Sequence, residues 1–153
     1  MVKIILASHG PMAEAMIKSS QMLFGENNHV SAVCLYEDDS IEKFAQRLRK
    51  KITGKRRRGE WVEKITGNEE VLLLVDIPGG TPCNQGTFLL EQFDNLRIVS
   101  GMNLLMLLEC LIRCEQMSVD ELVEVAIRSS KDSIHEVKLM KNEGSDELDD
   151  LMD

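Results

Sequence analysis

Four short apolar segments punctuate the sequence, and each is followed by residues with the spacing of an amphipathic helix. The segments are almost uninterrupted in their apolar character and rich in β-branched residues, which is typical of strands buried on both faces of a parallel sheet. Strands that alternate with helices build an open sheet with right-handed crossovers. We therefore expect an α/β fold with an open, mainly parallel four-stranded sheet and helices on both faces, its strands at residues 2–7, 30–36, 71–75 and 96–99.

Capping residues and prolines mark where the intervening helices begin. A further helix over residues 104–114 is apolar nearly all round, so we expect it to be largely buried. The predicted start signals are Pro11 in a first turn, the capping boxes Asp39/Glu42 and Ser118/Glu121, and Thr81 as the N-cap before Pro82 at the first helical position.

Residues 53–59 interrupt the alternation, because Gly54 and Gly59 enclose a basic run. We expect an exposed loop there. Two interpretations of the basic run stay open, a solvated loop and a surface that docks an acidic partner. Eight of the 18 basic residues are concentrated in this region, namely Arg47, Arg49, Lys50, Lys51, Lys55, Arg56, Arg57 and Arg58.

Length and net charge limit the number of domains and the kinds of ligand that we expect. A chain of 153 residues fits one domain, which we place at residues 1–140, followed by an acidic tail at 141–153. The net charge of −8 argues against a surface that binds nucleic acid. The apolar runs are far shorter than the roughly 20 residues that cross a bilayer, and the N-terminus lacks the pattern of a signal peptide, so we expect a cytoplasmic protein without membrane insertion. The four cysteines are expected to be free thiols.

Candidate chemistry follows the ends of the predicted strands, where ligands collect in open α/β sheets. His9 is a candidate nucleophile, and Asp76 could orient its ring by accepting from Nδ1–H. Gly79, Gly80 and Thr81 precede a helix, where free backbone N–H groups favour an anion such as phosphate. These parts predict an imidazole that accepts and donates a phosphoryl group, with no metal and no cofactor, and with Ser8 and Asn84 as further candidate phosphate contacts.

Three motifs carry a family resemblance. They are Ser8-His9-Gly10, the block from Val75 to Asn84 that contains Asp76 and Gly79-Gly80-Thr81-Pro82, and Gly101-Met102-Asn103-Leu104-Leu105. Together they resemble the IIA domain of the mannose, fructose and sorbose family of the bacterial sugar phosphotransferase system (PTS). The resemblance implies a phosphotransferase in which His9 takes a phosphoryl group from the phosphocarrier protein HPr and passes it to a IIB protein for sugar uptake. Asp76 would orient the ring, and the glycine turn would contact the phosphate.

The same resemblance implies the assembly. Family members are homodimers that exchange an antiparallel C-terminal edge strand, and residues 134–140 could form that strand, although a longer last helix is the alternative. Association with the membrane subunits IIC and IID would run through IIB. Two other functions stay open: the phosphotransfer subunit of a PTS-dependent dihydroxyacetone kinase, and a regulatory binding module on the same fold.

Overall fold

The computed structural model describes residues 1–57, 60–63 and 69–140, and for residues 55–57 and 60–63 it describes the backbone alone. In chain order the elements are β1 (Val2–His9), α1 (Met12–Phe24), β2 (Val30–Leu35), α2 (Ile41–Thr53), β3 (Gly54–Arg57), β4 (Glu60–Glu63), β5 (Glu70–Val75), α3 (Thr81–Leu90), β6 (Leu96–Ser100), α4 (Leu104–Arg113) and α5 (Val119–Ser133).

The main sheet has the strand order β2-β1-β5-β6, and all three of its pairings are parallel. The predicted open four-stranded α/β fold is therefore confirmed. The chain winds outward from β1 to β2, then crosses back to β5 on the other side of β1. The strand order thus reverses between β1 and β5, which places a crevice outside their carboxyl ends.

Both faces of this sheet are buried, and successive residues of the central strands alternate between two apolar cores. Ile4 and Leu6 of β1 join the core under α1, α4 and α5, whereas Ile5 and Ala7 join the core formed with α2 and α3. The helix α4 contributes Leu107 and Cys110 to the first core, as its apolar sequence predicts. Two-sided burial explains why the strand sequences are continuously apolar.

The predicted helix starts need two corrections. Ser40, not Asp39, caps α2 by accepting from the N–H of Lys43, while the Asp39 carboxylate accepts from the N–H of Tyr36 and pairs with Arg47. Gly80, not Thr81, is the N-cap of α3, so the prediction is wrong by one residue there. By contrast, the capping box of α5 is present as predicted, since Ser118 and Glu121 exchange both of its hydrogen bonds.

Residues 53–59 were expected to form a loop, and this prediction is wrong. The chain forms a small antiparallel hairpin instead, in which β3 pairs with β4 and Gly54 lies opposite Glu63. At the other end, α5 stops at Ser133, and residues 134–140 have neither helical nor strand structure. A longer last helix is therefore excluded, whereas the exchanged edge strand stays a prediction. The expected acidic tail, 141–153, lies outside the described residues.

Two further expectations concern the cysteines and the membrane. All four cysteines are free thiols, and three of them are buried. Among the described residues, no helix is long and apolar enough to span a bilayer.

Candidate functional site

His9 and Asp76 meet at the crevice between β1 and β5. His9 is the last residue of β1, and Asp76 directly follows β5, whose Val75 lies opposite Ala7 in the parallel pairing. The ring nitrogen Nδ1 of His9 is 2.7 Å from Oδ2 of Asp76. The two residues that strand-end reasoning selected are thus in direct contact.

The Asp76 carboxylate forms hydrogen bonds with three nitrogen atoms, two of His9 and one of Ile77. Its Oδ2 accepts from the backbone N–H of His9 at 2.8 Å as well as facing Nδ1, and its Oδ1 accepts from the N–H of Ile77 at 2.9 Å. Burial of this side chain, which is 10% exposed, acts to raise its pKa, but the bonds from His9 and Ile77 outweigh burial and hold the pKa of Asp76 below its usual value. The group is therefore a carboxylate near neutral pH.

The ionised carboxylate fixes the tautomer of His9. A carboxylate has no proton to donate, so Nδ1 carries the hydrogen in the neutral ring and the lone pair lies on Nε2. The His9 side chain is 46% exposed. The ring is therefore oriented by its inner nitrogen and remains accessible to a reaction partner.

Gly80 lies directly beside this ring. A Cβ atom at position 80 would come within 2.7 Å of Cε1 and 3.4 Å of Nε2 of His9, so only a glycine fits without moving the ring. Gly80 is also the N-cap of α3, where backbone N–H groups lack helical partners and the helix dipole favours negative charge. Gly79 supports this turn with a φ of 78°, a conformation that glycine adopts readily. The Nε2 nitrogen of His9 thus lies next to the start of a helix, a position that favours an anion.

Three further predicted site residues are Ser8, Asn84 and Thr81, and the first two form hydrogen bonds with backbone groups of the loops around His9. The hydroxyl of Ser8 is fully buried, accepts from the N–H of Ala13 at 2.8 Å and donates to the carbonyl of Gly10 at 3.1 Å. The amide of Asn84 donates to the carbonyl of Gly79 at 3.1 Å. Thr81 is the first residue of α3. Contact of these three side chains with a phosphate stays a prediction.

Two contributions to the site were missed from the sequence. The N–H groups of Gly101 and Met102 donate to the carbonyls of Asp76 and Val75, so the loop after β6 holds Asp76 in place. The loop after β2 forms the wall of an open groove of about 880 Å³ beside His9, in which Glu37 and Asp38 are exposed. Both loops follow strands of the same sheet, and that position was the signal that could have identified them.

The part of the chain that the structure describes holds no evident set of metal ligands. No group of three histidine, cysteine or acidic side chains there could hold a metal ion.

Comparison with known proteins gives a consistent result. The family model described as "PTS system fructose IIA component" matches residues 3–127. The fructose-specific EIIA component of Bacillus subtilis is 30% identical over 123 residues, which are 80% of this chain and 77% of that protein. The mannose-specific EIIAB component of Escherichia coli K12 is 26% identical over 138 residues, and the match covers 90% of this chain but only 40% of that relative.

Solved structures agree in fold. The mannose/sorbose-specific IIA subunit from Enterococcus faecalis has a TM-score of 0.75 and 30% identity, with coverage of 92% of this chain and 97% of that one. The EIIA component from Streptococcus agalactiae also has a TM-score of 0.75, with 27% identity and coverage of 89% and 97%.

Proposed function

The chain belongs to the mannose-type family of IIA components of the phosphotransferase system, and from this membership we propose that His9 is the residue through which it carries a phosphoryl group. In this proposal the donor is phosphorylated HPr and the acceptor is a histidine of a IIB protein, in the cytoplasm. IIB in turn connects the chain to the membrane subunits IIC and IID. Sugar uptake with phosphorylation is the process served.

The contact between His9 and Asp76 is the observation that carries this proposal. With Nδ1–H directed at the carboxylate 2.7 Å away, the lone pair of Nε2 attacks the phosphorus of the donor phosphohistidine. A new N–P bond forms as the donor's N–P bond breaks, and the bonding electron pair returns to the donor ring. The negative charge of Asp76 stabilises the positive character that His9 acquires, and the helix start at Gly80 favours the phosphoryl oxygens.

Transfer to IIB is the same exchange in reverse, with His9 now the leaving group. Because both sides of each transfer are phosphoimidazoles, the protein contributes mainly by positioning the reactants. The surroundings of His9 suit a protein partner, since Tyr36, Ile41 and Ile77 are large apolar side chains exposed around it. Exposed carboxylates at Glu37 and Asp38 add a negative rim that fits a cationic partner surface.

A labelling experiment tests the site. The chain is incubated with phosphoenolpyruvate carrying a radioactive phosphate, enzyme I and HPr, and we expect an acid-labile, base-stable phosphate on the parent chain and none on His9→Ala. His29→Ala is the matched control, because His29 precedes β2 at the amino ends of the strands, whereas His9 lies at their carboxyl ends, and His29 pairs with Glu115. Label that persists in His9→Ala would refute the proposed site. Onward transfer to a IIB protein, rather than to a dihydroxyacetone kinase subunit, distinguishes the two carrier functions, whereas a regulatory binding module would tolerate His9→Ala.

The proposed assembly is a homodimer that exchanges residues 134–140. Within this segment Ile134, Val137, Leu139 and Met140 are each at least 81% exposed, which is unfavourable for apolar side chains in an isolated chain. The sheet edge at β6 has no further strand among the described residues and could accept the segment. Sedimentation velocity should give a dimer for the parent and a monomer for Val137→Asp/Leu139→Asp. A parent that sediments as a monomer would contradict this assembly.

A further inference from the structure

Ser8 lies one residue before His9 in β1, and its side chain is on the other face of the sheet. Successive residues of a strand alternate in direction, so Ser8 shares the face of Ile4 and Leu6, which is covered by α1. The ring of His9 lies on the opposite face, beside Gly80 at the start of α3. The Ser8 side chain is fully buried. The sheet therefore separates the hydroxyl of Ser8 from a phosphoryl group on Nε2 of His9.

The hydroxyl of Ser8 forms its hydrogen bonds within the protein. A serine hydroxyl has one proton to donate and two lone pairs that accept. The proton is directed at the carbonyl of Gly10, 3.1 Å away, and the oxygen accepts from the backbone N–H of Ala13 at 2.8 Å. The sulfur of Cys34, at 4.0 Å, is a further but weaker acceptor. The hydroxyl therefore keeps no proton for a phosphate oxygen.

The bond between Ser8 and Ala13 caps the start of α1. The residue at the N-cap position is Pro11, whose side chain has no acceptor and forms no capping bond. Ala13 is the second residue of the helix, where a backbone N–H has no helical partner. Ser8 supplies this partner from β1, three residues before the N-cap position. The start of α1 is thereby attached to the strand that carries His9.

The bond between Ser8 and Gly10 fixes the turn directly after His9. Gly10 has a φ of 58°, a left-handed conformation that glycine adopts, and leaves, at little cost. Its N–H donates to the carbonyl of Leu35 at 2.7 Å, and its carbonyl accepts from Ser8. Both backbone polar groups of this flexible residue are therefore bonded. His9 is held by Asp76 on one side and by this turn on the other.

We propose that Ser8 is a positioning residue for phosphoryl transfer, which acts through the turn at Gly10 and the start of α1 and does not touch the phosphoryl group. This inference rests on the proposed role of His9 as the phosphorylated residue. Without the hydroxyl, the carbonyl of Gly10 and the buried N–H of Ala13 lose their partner, and the turn shifts to regain hydrogen bonds. The ring of His9 moves with the turn, which lengthens or bends its contact with Asp76.

NMR of the unphosphorylated protein tests this inference, because a contact with phosphate has no effect there. In Ser8→Ala the chemical shifts of the His9 ring nitrogens and of the Nδ1–H proton should move, since the hydrogen bond to Asp76 changes. Phosphorylation at saturating phosphorylated HPr should be about tenfold slower, as a displacement of less than about 1 Å implies, with KM unchanged. Ser8→Thr retains the hydroxyl and should restore both the shifts and the rate, whereas Ser8→Val, similar in volume but without a hydroxyl, should restore neither.

Ser20→Ala is the matched control. Ser20 lies two turns further along α1, is only 2% exposed, and donates its hydroxyl to the carbonyl of Ile17 at 2.6 Å. Its replacement removes an equally buried hydroxyl and should leave the ring shifts and the rate of His9 unchanged.

Two results would overturn the inference. The first is a parent rate in Ser8→Ala, and the second is a slower rate with unmoved ring shifts, because the hydroxyl would then act on the phosphate itself. Ser8→Thr and Ser8→Val give the same comparison if Ser8→Ala does not fold. Label on His9→Ala would refute the proposed function instead, and the NMR comparison in the unphosphorylated protein would still report whether Ser8 positions the ring.

Discussion

Replacing Gly80 with alanine should separate the chemistry of the site from the stability of the fold. The backbone at Gly80 has φ −78° and ψ 165°, which alanine adopts without strain. The added Cβ would lie 2.7 Å from Cε1 of His9, whereas ordinary contact begins at 3.4 Å. The ring must therefore retreat by about 0.7 Å, and a ring at the end of a side chain can do so at little cost to folding.

The displaced ring loses its alignment for transfer. Its Nδ1 contact with Asp76 is only 2.7 Å long, so a shift of this size lengthens or bends the hydrogen bond that fixes the tautomer. Misplacement of a reacting group by about 1 Å can reduce a rate by about 10²-fold, so we expect phosphorylation of Gly80→Ala by phosphorylated HPr to be 10- to 100-fold slower, roughly. Rapid quenching of the labelled chain gives the rate, and thermal unfolding gives the stability.

Gly86→Ala is the matched control. Its Cβ would meet Leu73 at 2.7 Å and Ile98 at 3.0 Å, an equally severe clash that lies in the core under α3. We expect this variant to lose stability, by about 1–3 kcal/mol for an overpacked core, and to retain the transfer rate while folded. A Gly80→Ala protein that accepts phosphate at the parent rate would refute the assigned geometry of the ring.

Three further predictions concern the titratable groups Asp76 and Cys110. Because the pKa of Asp76 in the folded protein lies below its usual 3.8, the stabilising effect of this carboxylate is complete above that pH and is lost as the pH falls through the lower value. The difference in melting temperature between the parent and Asp76→Asn should therefore shrink as the pH falls below about 4. Asp76→Asn should also slow phosphorylation of His9 by at least about tenfold, since an amide supplies no negative charge for the ring, and an unchanged rate would show that the charge is dispensable. Burial raises the pKa of the Cys110 thiol to about 12. At pH 8 a thiol reagent should therefore modify the half-buried Cys83 first and Cys110 only after unfolding, and peptide mass spectrometry can determine the order. Labelling of Cys110 in the folded protein would contradict its burial.

The sequence was sufficient for the sheet and for the contact between His9 and Asp76. Each strand is continuously apolar, and residues that follow parallel strands converge on one edge. The exact residue that caps a helix was harder to predict from the sequence, because neighbouring polar side chains compete for the same backbone groups. Asp39 and Ser40 are adjacent candidates for capping α2. Asp39 instead accepts from the N–H of Tyr36 and pairs with Arg47, two turns further along, and Ser40 is the cap.

The hairpin illustrates a different difficulty. Its strands are four residues each, and the first, Gly54–Arg57, consists of glycine and basic residues with weak strand propensity. Hydrogen bonding to Glu60–Glu63 stabilises this strand, whereas its own strand propensity is weak. A short polar segment gives no sequence signal for such pairing. The loop at Gly101 could be placed near the site because it follows a strand of the same sheet, but its hydrogen bond to Asp76 joins two backbone groups and no side chain indicates it.

The contact between His9 and Asp76 follows from strand register. Gly10 donates its N–H toward β2, so by alternation the N–H of His9 points toward β5, where a further backbone carbonyl would continue the ladder. The carbonyl of Asp76 accepts from Gly101 instead, and the side chain of Asp76 takes the N–H of His9. The same carboxylate oxygen then lies within 2.7 Å of Nδ1, so backbone and ring of His9 are fixed by one atom. A slip of β5 by one residue would turn the side chain of Asp76 to the other face of the sheet and remove it from this position, so the site depends on the register in which β5 pairs with β1.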